Sequence, residues 1–176
     1  MSISIGILVV SDRAAAGEYT DRGGPAVRDW LDGRLAMPLE VHLEIVPDEA
    51  PAIEGALLAF CDETHCSLVL TTGGTGPAPR DITPDVTRRV CDRMLPGFGE
   101  AMRLASSNIV PTAILSRQEA GHRGATLIIN LPGQPSAVAD CLDAVFDAVP
   151  WCIELLGGPR VNTDPPAWRP RHASSE

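Results

Sequence analysis

The residue types best suited to chemistry are gathered in Thr71-Thr72-Gly73-Gly74-Thr75-Gly76 and the stretch Pro79-Arg80-Asp81-Ile82-Thr83-Pro84-Asp85 that follows it. Three glycines let the backbone approach a ligand closely and expose consecutive N–H groups, and the hydroxyls of Thr72 and Thr75 add donors suited to phosphate oxygens. The run reads either as a phosphate cradle or as a tight strand-to-loop turn that holds nothing. It is not a Walker A loop, because no Gly-Lys-Ser/Thr follows. All 14 basic residues are arginine. Schiff-base chemistry is therefore excluded, and any phosphate must be held by Arg, backbone N–H groups, hydroxyls or a metal.

Asp81 lacks an obvious structural duty, and a carboxylate after a phosphate loop can hold Mg²⁺ against phosphate oxygens. Arg80 suits phosphate neutralisation, with a solvated ion pair to Asp81 as the competing reading. Asp85 reads first as a helix N-cap. Asp48, in Val46-Pro47-Asp48-Glu49, reads equally as a strand-end functional carboxylate and as the cap of a helix beginning near Ala50. Ser11-Asp12-Arg13 and Ser116-Arg117 place a hydroxyl and a guanidinium at strand ends, suitable for phosphate or pterin contacts. Leu131-Pro132-Gly133-Gln134-Pro135 enters a helix through a turn whose free N–H groups suit an anion.

The elements that must position these residues alternate between strand and helix. An apolar run over Ser4–Val10 reads as a strand covered on both faces, and the half-exposed alternation of 39–46 as a strand near a sheet edge. Strands are also expected from Leu68, over Thr112–Ser116 and over Ala125–Leu131. Helical spacing marks 25–36, 50–64, a stretch capped by Asp85, and a segment after Leu95-Pro96-Gly97 through Met102. A last long helix opens at Pro135, with a break at Pro150, and ends at Gly157-Gly158. This pattern predicts a three-layer α/β/α sandwich with a mostly parallel central sheet. Ligands in such sheets bind beyond the carboxyl ends of the strands, here Ser11, Val46, Gly73, Ser116 and Leu131. Residues 1–158 form the expected domain, and 159–176, rich in Pro and Arg without apolar periodicity, a mobile tail.

A chain of 176 residues with 44% hydrophobic and 21% charged residues suits one globular domain. The net charge of -9 argues against nucleic-acid and anionic-membrane partners and for a small ligand. The N-terminal apolar run is too short for a membrane span and lacks a basic leader. Five cysteines without a C-x-x-C pattern give neither a zinc site nor a disulfide framework, and reduced thiols in the cytoplasm are expected. The four histidines are scattered without ligand spacing.

TTGGTGPAPRDITPD, followed in order by LPGFGEAMR, ILSR and NLPGQP, resembles the motif series of the molybdopterin adenylyltransferases, the Mog branch of the MoaB/Mog family. The similarity begins at VVSDRAAAGEYTDRGGPA and extends to about Gly158. It implies an α/β/α domain that assembles as a homotrimer and joins the AMP part of Mg-ATP to the terminal phosphate of molybdopterin, releasing pyrophosphate. By position in the matching motifs it implies Asp48 and Asp81 as the essential acidic pair, with Ser116 at the active site; positioning Mg²⁺ and ATP is the role expected of the two carboxylates. The Gly73–Gly76 loop is implied to cradle substrate phosphate; with the residues read above, the expected substrate contacts are Ser11, Asp12, Arg13, Thr72, Gly73, Gly74, Thr75, Gly76, Arg80, Pro132 and Gly133. No tightly bound prosthetic group is expected, and hand-over to a molybdate-inserting protein is. Three alternatives share the fold: a non-catalytic molybdopterin-binding scaffold, a molybdate-inserting protein and a pyridine-nucleotide hydrolase. The last two are expected to carry further domains.

Overall fold

In the computed structural model, which describes residues 2–170, six strands form one sheet in the order β2-β1-β3-β6-β5-β4. Strands β1 (Ile3–Val10), β2 (Leu39–Val46), β3 (Leu68–Thr72) and β6 (Thr126–Leu131) run parallel, and β5 (Ala120–Arg123) and β4 (Arg93–Met94) close one edge antiparallel. The strand period of two sends alternate residues of β1 to opposite faces. Ile3, Ile5 and Ile7 join Val27 and Leu31 of helix α2 (Gly23–Arg34), Met102 of α5 (Pro96–Ser107) and Val138 and Leu142 of α6 (Pro135–Val145). Leu8 and Val10 join Ile53 and Leu57 of α3 (Ala50–Leu58) and Val86 and Val90 of α4 (Thr83–Val90). These two cores, one on each face, make the expected three-layer α/β/α sandwich.

A short helix α1 (Asp12–Ala15) leaves β1, capped by Ser11, whose Oγ accepts from the Ala14 N–H at 3.3 Å. The chain then passes to β2 on one side of β1, while β3 lies on the other. The crevice between the carboxyl ends of β1 and β3 is therefore the topological switch point, where sheets of this kind bind ligands.

Four expectations are corrected. Residues Pro111–Leu115 form a 3-10 turn rather than a strand, so Ser116 does not end a strand; Ile114 and Leu115 are exposed and the sheet position is taken by β5. β5 lies in what reads as the loop RQEAGHRG, and it lacks the β-branched signature because Gly121 must pass within 2.7 Å of the Arg93 carbonyl and the Cys91 sulfur, measured from where a Cβ would sit. Pro150 does not interrupt a helix: the break is a 3-10 turn at Phe146–Ala148, and Pro150 sits in the first turn of α7 (Val149–Leu155), where its missing N–H costs nothing. Finally, residues 159–170 are docked. Val161 and Thr163 are buried, Thr163 bridges to Leu35, the Ala36 N–H donates to the Asn162 carbonyl at 2.9 Å, and Arg169 pairs with Glu154 at 2.5 Å. The rest of the expected tail lies outside the described residues. This docking joins the two described ends of the chain, because the Ile3 N–H donates to Pro38, two residues from Ala36, at 3.0 Å.

Candidate active site

Gly73 and Gly74 turn the chain out of β3 with φ of 100° and 63°, the left-handed region that favours glycine. Space demands glycine as well. A Cβ on Gly73 would lie 2.2 Å from the Val10 carbonyl, and one on Gly74 would lie 2.4 Å from Thr83 Oγ1 and 3.1 Å from Asp48 Oδ1. The loop thus lies in the switch-point crevice, against the end of β1 on one side and the Asp48 carboxylate on the other. Thr83 fastens it from the start of α4, donating from Oγ1 to the Gly73 carbonyl at 3.0 Å.

Asp12 and Asp48, from the ends of β1 and β2, clasp each other. The Asp12 N–H donates to Asp48 Oδ2 at 2.9 Å, and the Asp48 N–H donates to Asp12 Oδ1 at 3.0 Å. Arg80 then grips Asp12 with two hydrogen bonds of 2.6 and 2.8 Å. The two carboxyls consequently differ in charge preference. The Arg80 guanidinium, helped by the Asp48 N–H, holds the Asp12 carboxyl below the usual carboxylate range. Burial pushes the Asp48 carboxyl up, and the negative Asp12 and Asp81 add to that, against the Asp12 N–H and Arg80. Asp48 is the carboxylate in deficit of positive charge. Asp81 accepts from the Ala78 N–H at 2.9 Å, and its carboxylate lies against Gly76, where a Cβ would sit 2.6 Å from Oδ2.

Both helix-cap readings are corrected. The N-cap of α3 is Glu49, whose backbone carbonyl accepts from the Ile53 N–H at 3.0 Å, and the side chain of neither Glu49 nor Asp48 caps the helix. The N-cap of α4 is Ile82; Asp85 lies within the first turn and pairs with Arg117 at 3.0 and 2.8 Å. That arginine is the clamp of the loop: its backbone N–H donates to the Thr75 carbonyl at 2.8 Å, Nε to the Gly76 carbonyl at 3.0 Å, and Nη2 to the Asp81 carbonyl. With its donors turned inward, Arg117 fixes the loop rather than facing a ligand. Thr72 is similarly committed, its hydroxyl donating to the Pro132 carbonyl at 2.9 Å, which leaves no proton for a phosphate in this geometry. Arg80 pairs with Asp12, not with its neighbour Asp81.

Ser11, Arg13, Thr72, Gly73 and Gly133 line one cavity of about 300 Å³ at the end of β1. Ser116 and Pro132 line another, of about 350 Å³, and Ser116 Oγ donates to Gln118 Oε1 at 2.9 Å. The Gln134 turn borders both. Ser116 is thus adjacent to the glycine loop through Arg117 but does not join the Asp12–Asp48 clasp. Sequence reasoning missed Tyr19, Asp21 and Arg22, which line the first cavity from a segment with no periodicity; the single tyrosine of the chain, between two arginines, was the available signal.

As to a metal, no group of three or more His, Cys, Asp or Glu converges among the described residues. The half-buried Asp48 and nearby Asp81 supply two hard oxygen donors, which fits Mg²⁺ brought in with substrate phosphates and water and not a closed protein cage.

A doubly wound parallel sheet with a glycine-rich loop and strand-end carboxylates at its switch point defines the class: an α/β domain equipped for an anionic small ligand. Residues 6–151 match the family described as "Probable molybdopterin binding domain", and the chain belongs to that family. It is 57% identical to the molybdopterin adenylyltransferase of Helicobacter pylori strain J99, over 89% of each chain, and 49% identical to that of Escherichia coli K12, over 98% of this chain and 96% of that one. The solved structure of the molybdopterin biosynthesis enzyme MoaB from Thermus thermophilus is 45% identical, covers 90% of this chain and 99% of that one, and superposes with a TM-score of 0.82. The resemblance read from the motifs and the predicted fold class are both borne out.

Proposed function

We propose that this chain is a molybdopterin adenylyltransferase, transferring AMP from Mg-ATP to the terminal phosphate of molybdopterin and releasing pyrophosphate in molybdenum cofactor biosynthesis. The observation that carries the reading is the meeting of the Gly73–Gly76 loop with the cation-poor Asp48 and with Asp81 at the switch point, in a chain whose close relatives bear that name.

A molybdopterin phosphate oxygen attacks the α-phosphorus of ATP in line; that P–O bond forms as the bond to the β-phosphate breaks. The attacking monoester is already largely ionised near neutral pH, so no strong general base is needed. Alignment and charge neutralisation do the work. Asp48 and Asp81 would hold the Mg²⁺ that accompanies ATP, and the ion would supply positive charge to the phosphates. The N–H groups of Gly73–Gly76 hold phosphate oxygens, and Arg80, released from Asp12, adds a cation. Ser116, with Pro132, belongs to the molybdopterin side of the cleft. Ser11, Asp12, Arg13 and Gly133 flank the glycine loop on the side of the ATP phosphates.

In this reading the chain acts in the cytoplasm as a homotrimer, consistent with reduced cysteines and with an exposed apolar surface at Leu104, Ile109, Val110, Ile114 and Leu115. The product passes to a molybdate-inserting protein. The test is incubation of the purified chain with molybdopterin and Mg-ATP, with the adenylylated product detected by mass and pyrophosphate measured alongside. Binding of ATP without pyrophosphate release would reject catalysis in favour of a scaffold.

A further inference from the structure

Two arginines line the cavity at the end of β1 without a carboxylate partner. Arg13 stands over the Tyr19 ring, its guanidinium carbon 5.2 Å from the centroid, and Arg22 lies 5.7 Å from the same centroid while donating from Nε to Tyr19 Oη at 2.9 Å. Among the described residues neither guanidinium makes an ion pair, whereas Arg28, Arg34, Arg80, Arg88, Arg89, Arg117, Arg123 and Arg169 all do. The acid beside them, Asp21, is occupied elsewhere, since its Oδ1 accepts from the Gly23 N–H at 2.8 Å and its Oδ2 from the Gly24 N–H at 3.0 Å. Two guanidiniums held by one aromatic ring therefore face a concave space with most of their donors unspent. The floor of that space is Gly73 and Gly133, with the start of the eleven-residue α6 behind.

We infer that Arg13 and Arg22, braced by Tyr19, form a jaw that binds a diphosphate. The inference rests on the function proposed above for its source, the β- and γ-phosphates of ATP, and names the seat of the leaving group. Contact with the ring fixes each guanidinium while leaving its terminal N–H groups free, and a pair of such donors matches phosphate oxygens bidentately. The cavity volume of about 300 Å³ is at the small end for ligand pockets, suiting a compact anion better than a pterin. The jaw lies on the β1 side of Gly73, while Asp48 lies against Gly74. A triphosphate spanning the loop would put its reacting phosphorus near the carboxylates and its leaving end in the jaw.

The probe is inorganic pyrophosphate, titrated calorimetrically into the full chain and into Arg13→Gln, Arg22→Gln and Tyr19→Phe, with melting curves on each preparation. Each arginine variant should bind pyrophosphate about tenfold or more weakly, as expected for loss of a charge-assisted contact. Tyr19→Phe, which keeps the ring and loses the Arg22 hydrogen bond, should weaken it less. Melting should be unaltered, since none of these side chains is part of the core. In turnover, KM for ATP should rise in the arginine variants with KM for molybdopterin unaltered. Unchanged pyrophosphate affinity in both arginine variants overturns the jaw, as does an effect confined to the KM for molybdopterin. If the chain does not adenylylate molybdopterin, the proposed function fails while the pyrophosphate titration still decides this inference.

Discussion

Replacement of Asp48 by Asn separates chemistry from structure more sharply than any other single change. In the fold, Asp48 Oδ2 accepts one backbone N–H, from Asp12 at 2.9 Å, and the amide oxygen of Asn can accept it too. Exchanging a charged for a neutral acceptor costs about 1 kcal/mol. Against that stand relief of the burial that pushes the Asp48 carboxyl up, and removal of its repulsion with Asp12 and Asp81. The two effects oppose each other, so stability should change by no more than about 1 kcal/mol, or roughly 2–4 °C in a domain of this size. Turnover should respond very differently. If the carboxylate orients Mg-ATP, its loss should cut adenylylation roughly a hundredfold or more, on the scale of losing one preorganised electrostatic group. The assay is pyrophosphate release and product mass beside a melting curve. Turnover within about threefold of the parent chain would refute the role given to Asp48. So would a fall in melting temperature beyond about 10 °C, which would make Asp48 a structural residue whose loss of activity means nothing specific.

Gly73→Ala should abolish phosphate binding and lower stability by more than the 1–2 kcal/mol of a left-handed alanine, because its methyl would also meet the Val10 carbonyl; calorimetric titration and melting curves test this, and a normal variant would contradict the loop geometry. Truncation after Gly158 removes the buried Val161 and should cost about 2–3 kcal/mol, seen as a drop of roughly 4–12 °C in melting temperature, where an unaltered Tm would show that 159–170 contribute nothing. The acid limb of stability should carry the signature of Asp12, Asp62 and Asp85, each held low by an arginine. Their contributions are present above the ordinary carboxylate value of 3.8 and are lost as pH falls through the lower folded values, so urea midpoints should decline on acidification. Asp48 has the opposite sign. Its raised carboxyl costs stability as pH rises from 3.8, so Asp48→Asn should gain on the parent from acid towards neutrality, and a constant difference across that range would refute the assignment.

The alternating units were legible because period and punctuation agree in β1, β2, α2 and α6, where apolar spacing and Gly/Pro breaks mark the same limits. Where they disagreed the reading failed. The run Thr112–Ser116 looks like a strand only by composition, and its apolar side chains face outward. Ala120–Arg123 looks like a loop, yet it is sheet because long-range pairing with β6 and β4 overrides weak local preference. The carboxyl-end rule brought Asp48, Asp81 and the glycine loop to one place. It could not say which polar residues were already committed: Thr72 to Pro132, Arg117 to the loop backbone and Asp85 to Arg117 are tertiary pairings that no spacing announces. Nor did spacing show that 159–170 docks, since Val161 is a single apolar residue in a Pro-rich stretch and its burial depends on a niche beside α2.

The meeting of Ile3, Ala36 and Asn162 puts both described ends of the chain at the amino pole of the sheet, while the glycine loop occupies the carboxyl pole. Eight residues of β1 separate the two by roughly 26 Å of extended chain. A domain joined directly at the described ends would therefore hang from the far side of the sandwich, leaving the cleft mouth unobstructed. An adenylylated product passed to such a neighbour would have to travel around the sheet through solvent, or cross to another copy of the chain whose cleft faces the graft. Tethering alone would raise local concentration without building a tunnel.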